Sequence, residues 1–269
     1  MRMSELAAAV LELVLPGDCA GCGAPSAPWC PACAAELGPA TAPVLPGGPR
    51  VLAAGRYRGP LRTALLRYKE RDRRDLAGPL ARLLAGLLEP PYPAPARVAP
   101  IGPAPIWLVP APSRPAAARA RGGDHVLRLC RALAAERGDL RVARALQLGR
   151  GARDSVGLDP RQRAANLAGR LRVRPGELPP AGAAVLLVDD VITTGATLLA
   201  CRRTLAAAGV RADRAITLCD ATCRSDDGHS WSSGKSDGLT GRVVLQPVAR
   251  FGRIHQTWGY ARSKPVAKP

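Results

Sequence analysis

Aromatic side chains are scarce in this chain: one Phe, four Tyr and four Trp make up 3% of its 269 residues. Hydrophobic residues still reach 47%, so a packed core has to be built from Ala, Leu and Val. Long apolar runs are missing as well. No stretch approaches the roughly 18 uninterrupted apolar residues of a membrane span, so none is expected. The segment Met1–Pro16 has the outline of a signal peptide, but Glu5 and Glu12 interrupt it. Leu6, Val10, Leu13 and Val14 share one helical face there, so it reads as an amphipathic helix packed on the protein. The expected compartment is the cytoplasm. Acidic residues are the minority charge, 21 against 39 Lys and Arg, which leaves a formal net charge of +18. Such an excess attracts polyanions, whether nucleic acid or phosphorylated substrates, without choosing between them. Arginine used on solvated faces would give the same count.

What is present is most specific at Val185–Thr197, which reads Val-Leu-Leu-Val-Asp-Asp-Val-Ile-Thr-Thr-Gly-Ala-Thr. The apolar run suits a strand covered on both faces of a parallel sheet. Thr193–Thr197 then turn into a helix over Leu198–Ala208 that ends at Gly209. The start of a helix presents unpaired N–H groups and a positive dipole end, so a phosphate is held well there. Gly195 permits close backbone approach, and the threonine hydroxyls add donors. Asp189 and Asp190 precede this cradle, placed to accept hydrogen bonds from the two hydroxyls of a ribose. The motif is no P-loop, because no Gly-Lys-Ser/Thr follows it, and it lacks the Gly-x-Gly-x-x-Gly of a Rossmann loop. An ordinary buried strand whose aspartates cap the next helix is the bland alternative.

Four of the eight cysteines fall as Cys19-x2-Cys22-x7-Cys30-x2-Cys33. Two such knuckles let four thiolates converge on one structural Zn2+, with Gly21, Gly23 and Pro31 supplying the turns. Four thiolates close the coordination sphere, which argues against catalytic zinc; disulfide or redox use is the alternative. Cys130 and Cys201 fall in helical stretches and read as buried small hydrophobes.

The remaining pattern is that of an α/β chain. Gly38–Arg50 reads as a linker and Val51–Tyr57 as a strand. A single long amphipathic helix is expected from Gly59-Pro60, with Leu61, Leu65, Leu66, Leu76, Leu80, Leu83, Leu84 and Leu87 inside. Arg62, Arg67, Lys69, Arg71, Arg73 and Arg74 are expected outside, as a basic binding face or a solvated one. After a proline-rich connector at Pro90–Pro105, Ile106–Val109 is a buried strand that ends in the Pro110–Pro115 loop. Ligands gather where the strands of such sheets end. Ser113 and Arg114 lie in that loop. Further on come a helix at Gly123–Arg137, a strand at Leu140–Ala145, a Gly/Arg/Asp-rich segment at Gly149–Pro160, a helix at Arg161–Leu171 and a last strand at Ala215–Cys219. His125 reads as a residue on the helix surface. Residues 221–269 read as a flexible basic tail, with single-stranded nucleic acid as an alternative ligand for its Trp258, Tyr260 and arginines.

The Val185–Thr197 motif resembles the 5-phosphoribosyl-1-pyrophosphate (PRPP) motif of type I phosphoribosyltransferases. In order along the chain, several features resemble the ComF family of competence-associated, phosphoribosyltransferase-like proteins. They are the four cysteines, Tyr57-Arg-Gly-Pro60, Tyr68-Lys69, Val109–Arg114, Gly157-Leu158 with Arg163 and Asn166, and the PRPP motif. Arg121-Gly-Gly-Asp-His125 and Ser155 depart from the usual family pattern. The resemblance implies a type I phosphoribosyltransferase-like fold, a parallel sheet flanked by helices, with a small N-terminal zinc module. The domains implied are residues 1–37, residues 51–220 and the tail. It implies that Asp189 and Asp190 hold the ribose, Thr193, Thr194, Gly195, Ala196 and Thr197 the 5-phosphate, and Ser113 and Arg114 the pyrophosphate with Mg2+. A lid would occupy the place of residues 149–171. Two functions follow from it: a phosphoribosyltransferase, or a non-catalytic single-stranded DNA-binding accessory of DNA uptake that works beside a competence helicase. Neither the acceptor base or amine nor the oligomeric state is legible here.

Overall fold

The computed structural model describes residues 17–25, 27–88, 104–113, 118, 123–149 and 170–222. The expected helix within residues 1–16, Arg114, most of the segment before Leu171 and all but the first two residues of the tail lie outside these described residues.

Five strands form one sheet in which every pairing is parallel: β1 (Arg50–Arg56), β2 (Ile106–Pro110), β3 (Leu140–Val142), β6 (Val185–Ile192) and β7 (Arg214–Asp220). Their order is β1-β7-β6-β2-β3. A short antiparallel pair, β4 (Leu146–Leu148) with β5 (Leu171–Val173), stands apart from the sheet. The apolar run of β6 alternates between two cores, as a strand covered on both faces must. Leu186 and Val188 join Leu52, Leu108, Ile216 and Leu218 beneath α2 (Gly59–Glu70), α3 (Ala77–Gly86) and α4 (His125–Glu136), α1 being the short Pro31–Ala35 helix among the cysteines. Val185 and Leu187 join Val51, Val109 and Ala215 against α5 (Ala196–Ala207) and the β4–β5 pair. No aromatic side chain is needed in the second core beyond the partly buried Trp107.

The long helix expected after Gly59 is broken. α2 stops at Glu70, Asp72 adopts a positive φ of 51°, and a 3-10 turn at Arg74–Leu76 leads into α3. Aspartate tolerates that left-handed geometry better than most residues. The break lets Leu61 and Leu65 on one segment and Leu80 and Leu84 on the next reach the same core. Two further expectations change. The helix read as ending at Leu171 gives way there to β5, and the strand after Leu140 closes at Val142. Gly38–Arg50 is anchored to the sheet rather than loose: Thr41 bridges Ala53, its Oγ1 donates to Asp220 at 2.9 Å, and Arg202 donates to Gly47 O at 3.0 Å.

Part of the basic face is paired, with interleaved acids and with Asp18. Arg67 and Arg73 both pair with Asp18, at 2.6 and 2.7 Å, and Arg73 and Arg74 pair with Asp75 and Asp72. Two of the arginines on this helical region therefore fasten the cysteine segment, and a third is matched locally. Among the described residues no helix is long and apolar enough to cross a membrane.

Candidate functional site

Topology places the site. From β2 the chain moves outward to β3, whereas from β6 it moves the other way to β7, so the loops after β2 and β6 part from one another. A crevice opens at such a switch point, at the carboxyl ends of the strands. A cavity of about 390 Å³ lies there, lined by Lys69, Ala111–Ser113, His125, Val126, Asp189–Val191 and Thr197. Asp189, Asp190, Ser113 and Thr197 are thus brought to one cavity. Thr193 and Thr194 are exposed in the turn beside it, and Ala196 is half-buried.

The acid pair lies within β6, since the strand continues through it to Ile192. Asp190 is buried and takes two donors on the same oxygen: Lys69 Nζ at 2.8 Å from Oδ2, and His125 Nε2. Burial works against its ionisation, but the hydrogen bond from His125 and the charge of Lys69 outweigh it and hold the carboxyl below its usual range. Asp189 goes the other way. Burial and the neighbouring Asp190 charge push its carboxyl well above the usual range, while its Oδ1 accepts from Asp190 N at 2.9 Å. The two adjacent carboxyls are therefore shifted in opposite directions.

His125 corrects the sequence reading. It is 5% exposed, and besides Asp190 its Nδ1 lies 3.5 Å from Ser113 Oγ. Ser113 is held in turn by Asp124, through Oγ and the backbone N–H at 3.2 Å each. Asp124 caps α4 by accepting from Val126 N and Leu127 N. Tyr68 OH donates to His125 O at 2.8 Å, which fixes α2 against α4 and sets Lys69, the next residue, at the acid pair. Lys69 was expected on the exposed side of its helix. Its partner lies far along the chain, and the one available signal was the Tyr68-Lys69 pair within the family resemblance.

The turn after β6 leads directly into α5. Gly195 has φ 72° and leads into α5 with no side chain capping the helix. Among the described residues the Ala196 N–H has only a long 3.4 Å contact to Thr194 Oγ1, which leaves a donor at the start of α5. An added Cβ on Gly195 would stand 2.3 Å from Leu45 Cδ1.

A second constellation is the cysteine module. The Sγ atoms of Cys19, Cys22, Cys30 and Cys33 all lie within 4.8 Å of one another, and Cys19, Cys30 and Cys33 are buried. Cys30 N points at Cys19 Sγ and Cys33 N at Cys30 Sγ, both at 3.4 Å, which suits thiolates. Burial opposes ionisation of Cys19, yet backbone donors from Cys22, Cys30 and Gly21 hold it at about 6. Gly21 leaves no room for a side chain, since a Cβ would meet Cys33 Sγ at 2.6 Å and Pro60 Cβ at 2.8 Å. These donors and the clustering fit a metal ion. Cys130 and Cys201 are buried, as small hydrophobes would be.

The fold and site are those of a parallel α/β domain with a cavity at the carboxyl ends of its strands, carrying a four-cysteine cluster. The family model described as the phosphoribosyl transferase domain matches residues 140–237, a stretch that takes in β6, the acid pair and the cradle. Among solved structures the chain is similar to hypoxanthine phosphoribosyltransferase from Trypanosoma cruzi. A variant in a ternary substrates complex gives 19% identity, 61% of this chain, 74% of that one and a TM-score of 0.29. Another, from work on the role of the C-terminal region in oligomeric state and activity, gives 18%, 61%, 71% and 0.30. No curated protein matches the chain.

Proposed function

We propose that the chain is a PRPP-binding phosphoribosyltransferase of the ComF type. The observation that carries this reading is the acid pair in the last half of β6, followed closely by the uncapped start of α5, with Asp189, Asp190 and Thr197 lining one cavity. Asp189 and Asp190 hold the ribose hydroxyls, Thr193–Thr197 the 5-phosphate, and Ser113 with Arg114 the pyrophosphate. Phosphoribosyl transfer separates pyrophosphate from ribose C1 while positive charge grows on the ring, so it needs held anions and excluded water more than a protein nucleophile. Magnesium, bound with the pyrophosphate, supplies neutralisation of the leaving group. The four cysteines hold a structural zinc ion. The cytoplasmic setting, a role in DNA uptake, single-stranded DNA and a competence helicase as partners belong to the same proposal through the family resemblance. The residue spans 1–37, 51–220 and 221–269 are its domains.

Isothermal titration tests the reading. PRPP with Mg2+ is expected to bind, ribose 5-phosphate to compete, and ribose alone to do neither. Folded protein that takes up no PRPP at millimolar concentration overturns it. The cradle is then left to DNA phosphates, in a non-catalytic accessory whose oligonucleotide affinity falls steeply with salt.

A further inference from the structure

The cysteine module and the cavity share one support, the end of α2. Residues two apart on a helix are turned by about 200° from one another, so Arg67 and Lys69 leave α2 on opposite sides. Arg67 Nη1 donates to Asp18 Oδ2 at 2.6 Å and to Cys19 O at 3.2 Å, while Lys69 Nζ lies 2.8 Å from Asp190 Oδ2. Beyond the helix end Arg73 returns to the same carboxylate. Its Nη1 donates to Asp18 Oδ1 at 2.7 Å and its Nη2 to Asp18 O at 2.9 Å. At the first turn of α2, a Cβ on Gly21 would stand 2.8 Å from Pro60 Cβ. The stretch from Asp18 to Gly21 is thus a strap that touches α2 near both ends.

The bend after α2 gives that strap its consequence. Tyr68 and Leu76 are buried, whereas Lys69–Asp75 reads Lys-Glu-Arg-Asp-Arg-Arg-Asp and holds no apolar residue. The bend is tied to distant parts of the chain by ion pairs, Lys69 to Asp190 and Arg73 to Asp18. A single exposed pair contributes little, but here one carboxylate takes two arginines, and each arginine also holds a backbone carbonyl. Cys19 O accepts in addition from Gly23 N at 2.8 Å, closing the turn that contains Cys22. Whatever fixes the thiolates of that knuckle therefore fixes the strap. We infer that Asp18 is a positioning residue that makes the hold of Lys69 on Asp190 depend on a metal ion at the four cysteines. With the knuckle closed, Asp18 and Cys19 O keep the end of α2 in place. With it open, the bend is released and Lys69 leaves Asp190. The inference rests on the metal reading of the cysteines and needs no ligand in the cavity.

Amine labelling of the reduced, full-length chain with acetic anhydride, read by mass spectrometry, tests it, because an ammonium held by a carboxylate acylates slowly. Lys264 and Lys268 serve as internal references. Stripping zinc with a selective chelator is expected to raise Lys69 labelling about twofold to fivefold, the weight of a partly exposed ion-pair network. Asp18→Ala should raise it as much while zinc content stays at the wild-type level. Chelating that variant should add little, because both changes cut the same link. Asp18→Asn keeps the acceptor oxygen and should fall between, which guards against misfolding of the alanine variant. PRPP with Mg2+ gives a second readout. Its affinity should fall on zinc removal, and by linkage it should raise zinc affinity by the same factor in competition with the chelator. Unchanged Lys69 labelling, in Asp18→Ala or after chelation, overturns the inference. So does loss of zinc in Asp18→Ala, which makes Asp18 a support of the metal site alone. Protein that shows the labelling pattern but binds no PRPP keeps the coupling and drops the sugar-phosphate reading. PRPP binding indifferent to zinc, with labelling flat, does the reverse.

Discussion

Leu45 stands where a side chain on Gly195 would have to go, its Cδ1 2.3 Å from the position of an added Cβ. The anchored Thr41–Gly48 segment therefore abuts the turn after β6, and two separate features favour glycine there. One is the neighbouring leucine and the other is φ 72°. A left-handed backbone costs an L-residue about 1–2 kcal/mol. Gly195→Ala is expected to lose at least that much stability in urea melts and to bind PRPP more weakly. Adding Leu45→Ala should relieve the contact and leave the backbone cost. A double variant no better than Gly195→Ala alone would mean that Leu45 simply moves aside.

The opposed shifts in the acid pair make stability depend on pH. Asp189 has a folded pKa raised above the ordinary 3.8. Between the two values the folded chain keeps a proton that the unfolded chain has released, so stability falls as pH rises through that window. Asp189→Asn removes the titration but retains an acceptor oxygen for Asp190 N. The variant's melting temperature should gain on wild type steadily from pH 5 to higher pH. An offset that is the same at every pH would remove Asp189 as the source.

The cysteine module should carry one zinc ion per chain. Among the described residues its own apolar cluster is Cys19, Cys30 and Cys33 with Trp29 against them, too little to fold without a metal. Elemental analysis of protein purified without chelator should find near-stoichiometric zinc, and Cys30→Ser should lose it. Limited proteolysis of the stripped protein is then expected to cut first within residues 17–37 while the sheet survives. Full zinc content in Cys30→Ser would dismiss the site.

The parallel sheet, its central strand and the turn from the acid pair into α5 were legible because each is written in consecutive residues. Val185–Val188 carries its double burial in four apolar letters, and Gly209, at φ 78°, ends α5 where a terminal glycine should. The cysteine cluster was legible for the same reason. Contacts that join distant residues were not. Nothing near Lys69 announces Asp190, and nothing near Arg67 announces Asp18, 49 positions away. The periodicity of leucines ran through Asp72 without registering that a left-handed residue had turned the helix. His125 looked solvent-facing because a lone histidine at the start of a helix has no local pattern. It is the fold that sets its ring between Ser113 and Asp190.

Asp190 and Thr194 should separate when each is replaced conservatively. Asp190→Asn keeps the shape but removes the anion that Lys69 and His125 share, in a buried place. Leaving such a group short of its partner costs about 1–3 kcal/mol, more where charge is involved. This variant is therefore expected to melt earlier and also to lose PRPP affinity, because the diol meets a weaker acceptor. Thr194 is exposed, and among the described residues its hydroxyl has only the 3.4 Å contact from Ala196 N. Thr194→Val should leave the melting temperature nearly unchanged. Its cost should come with ligand, when a phosphate oxygen lacks one donor, as a weakening of about tenfold or more. Ribose 5-phosphate and PRPP should suffer equally in Thr194→Val, since both present the same 5-phosphate. Thermal melts beside titrations of both ligands decide the matter. A Thr194→Val chain with wild-type affinity removes that hydroxyl from the cradle, and an Asp190→Asn chain with unchanged melting temperature means the Lys69 pair contributes no stability.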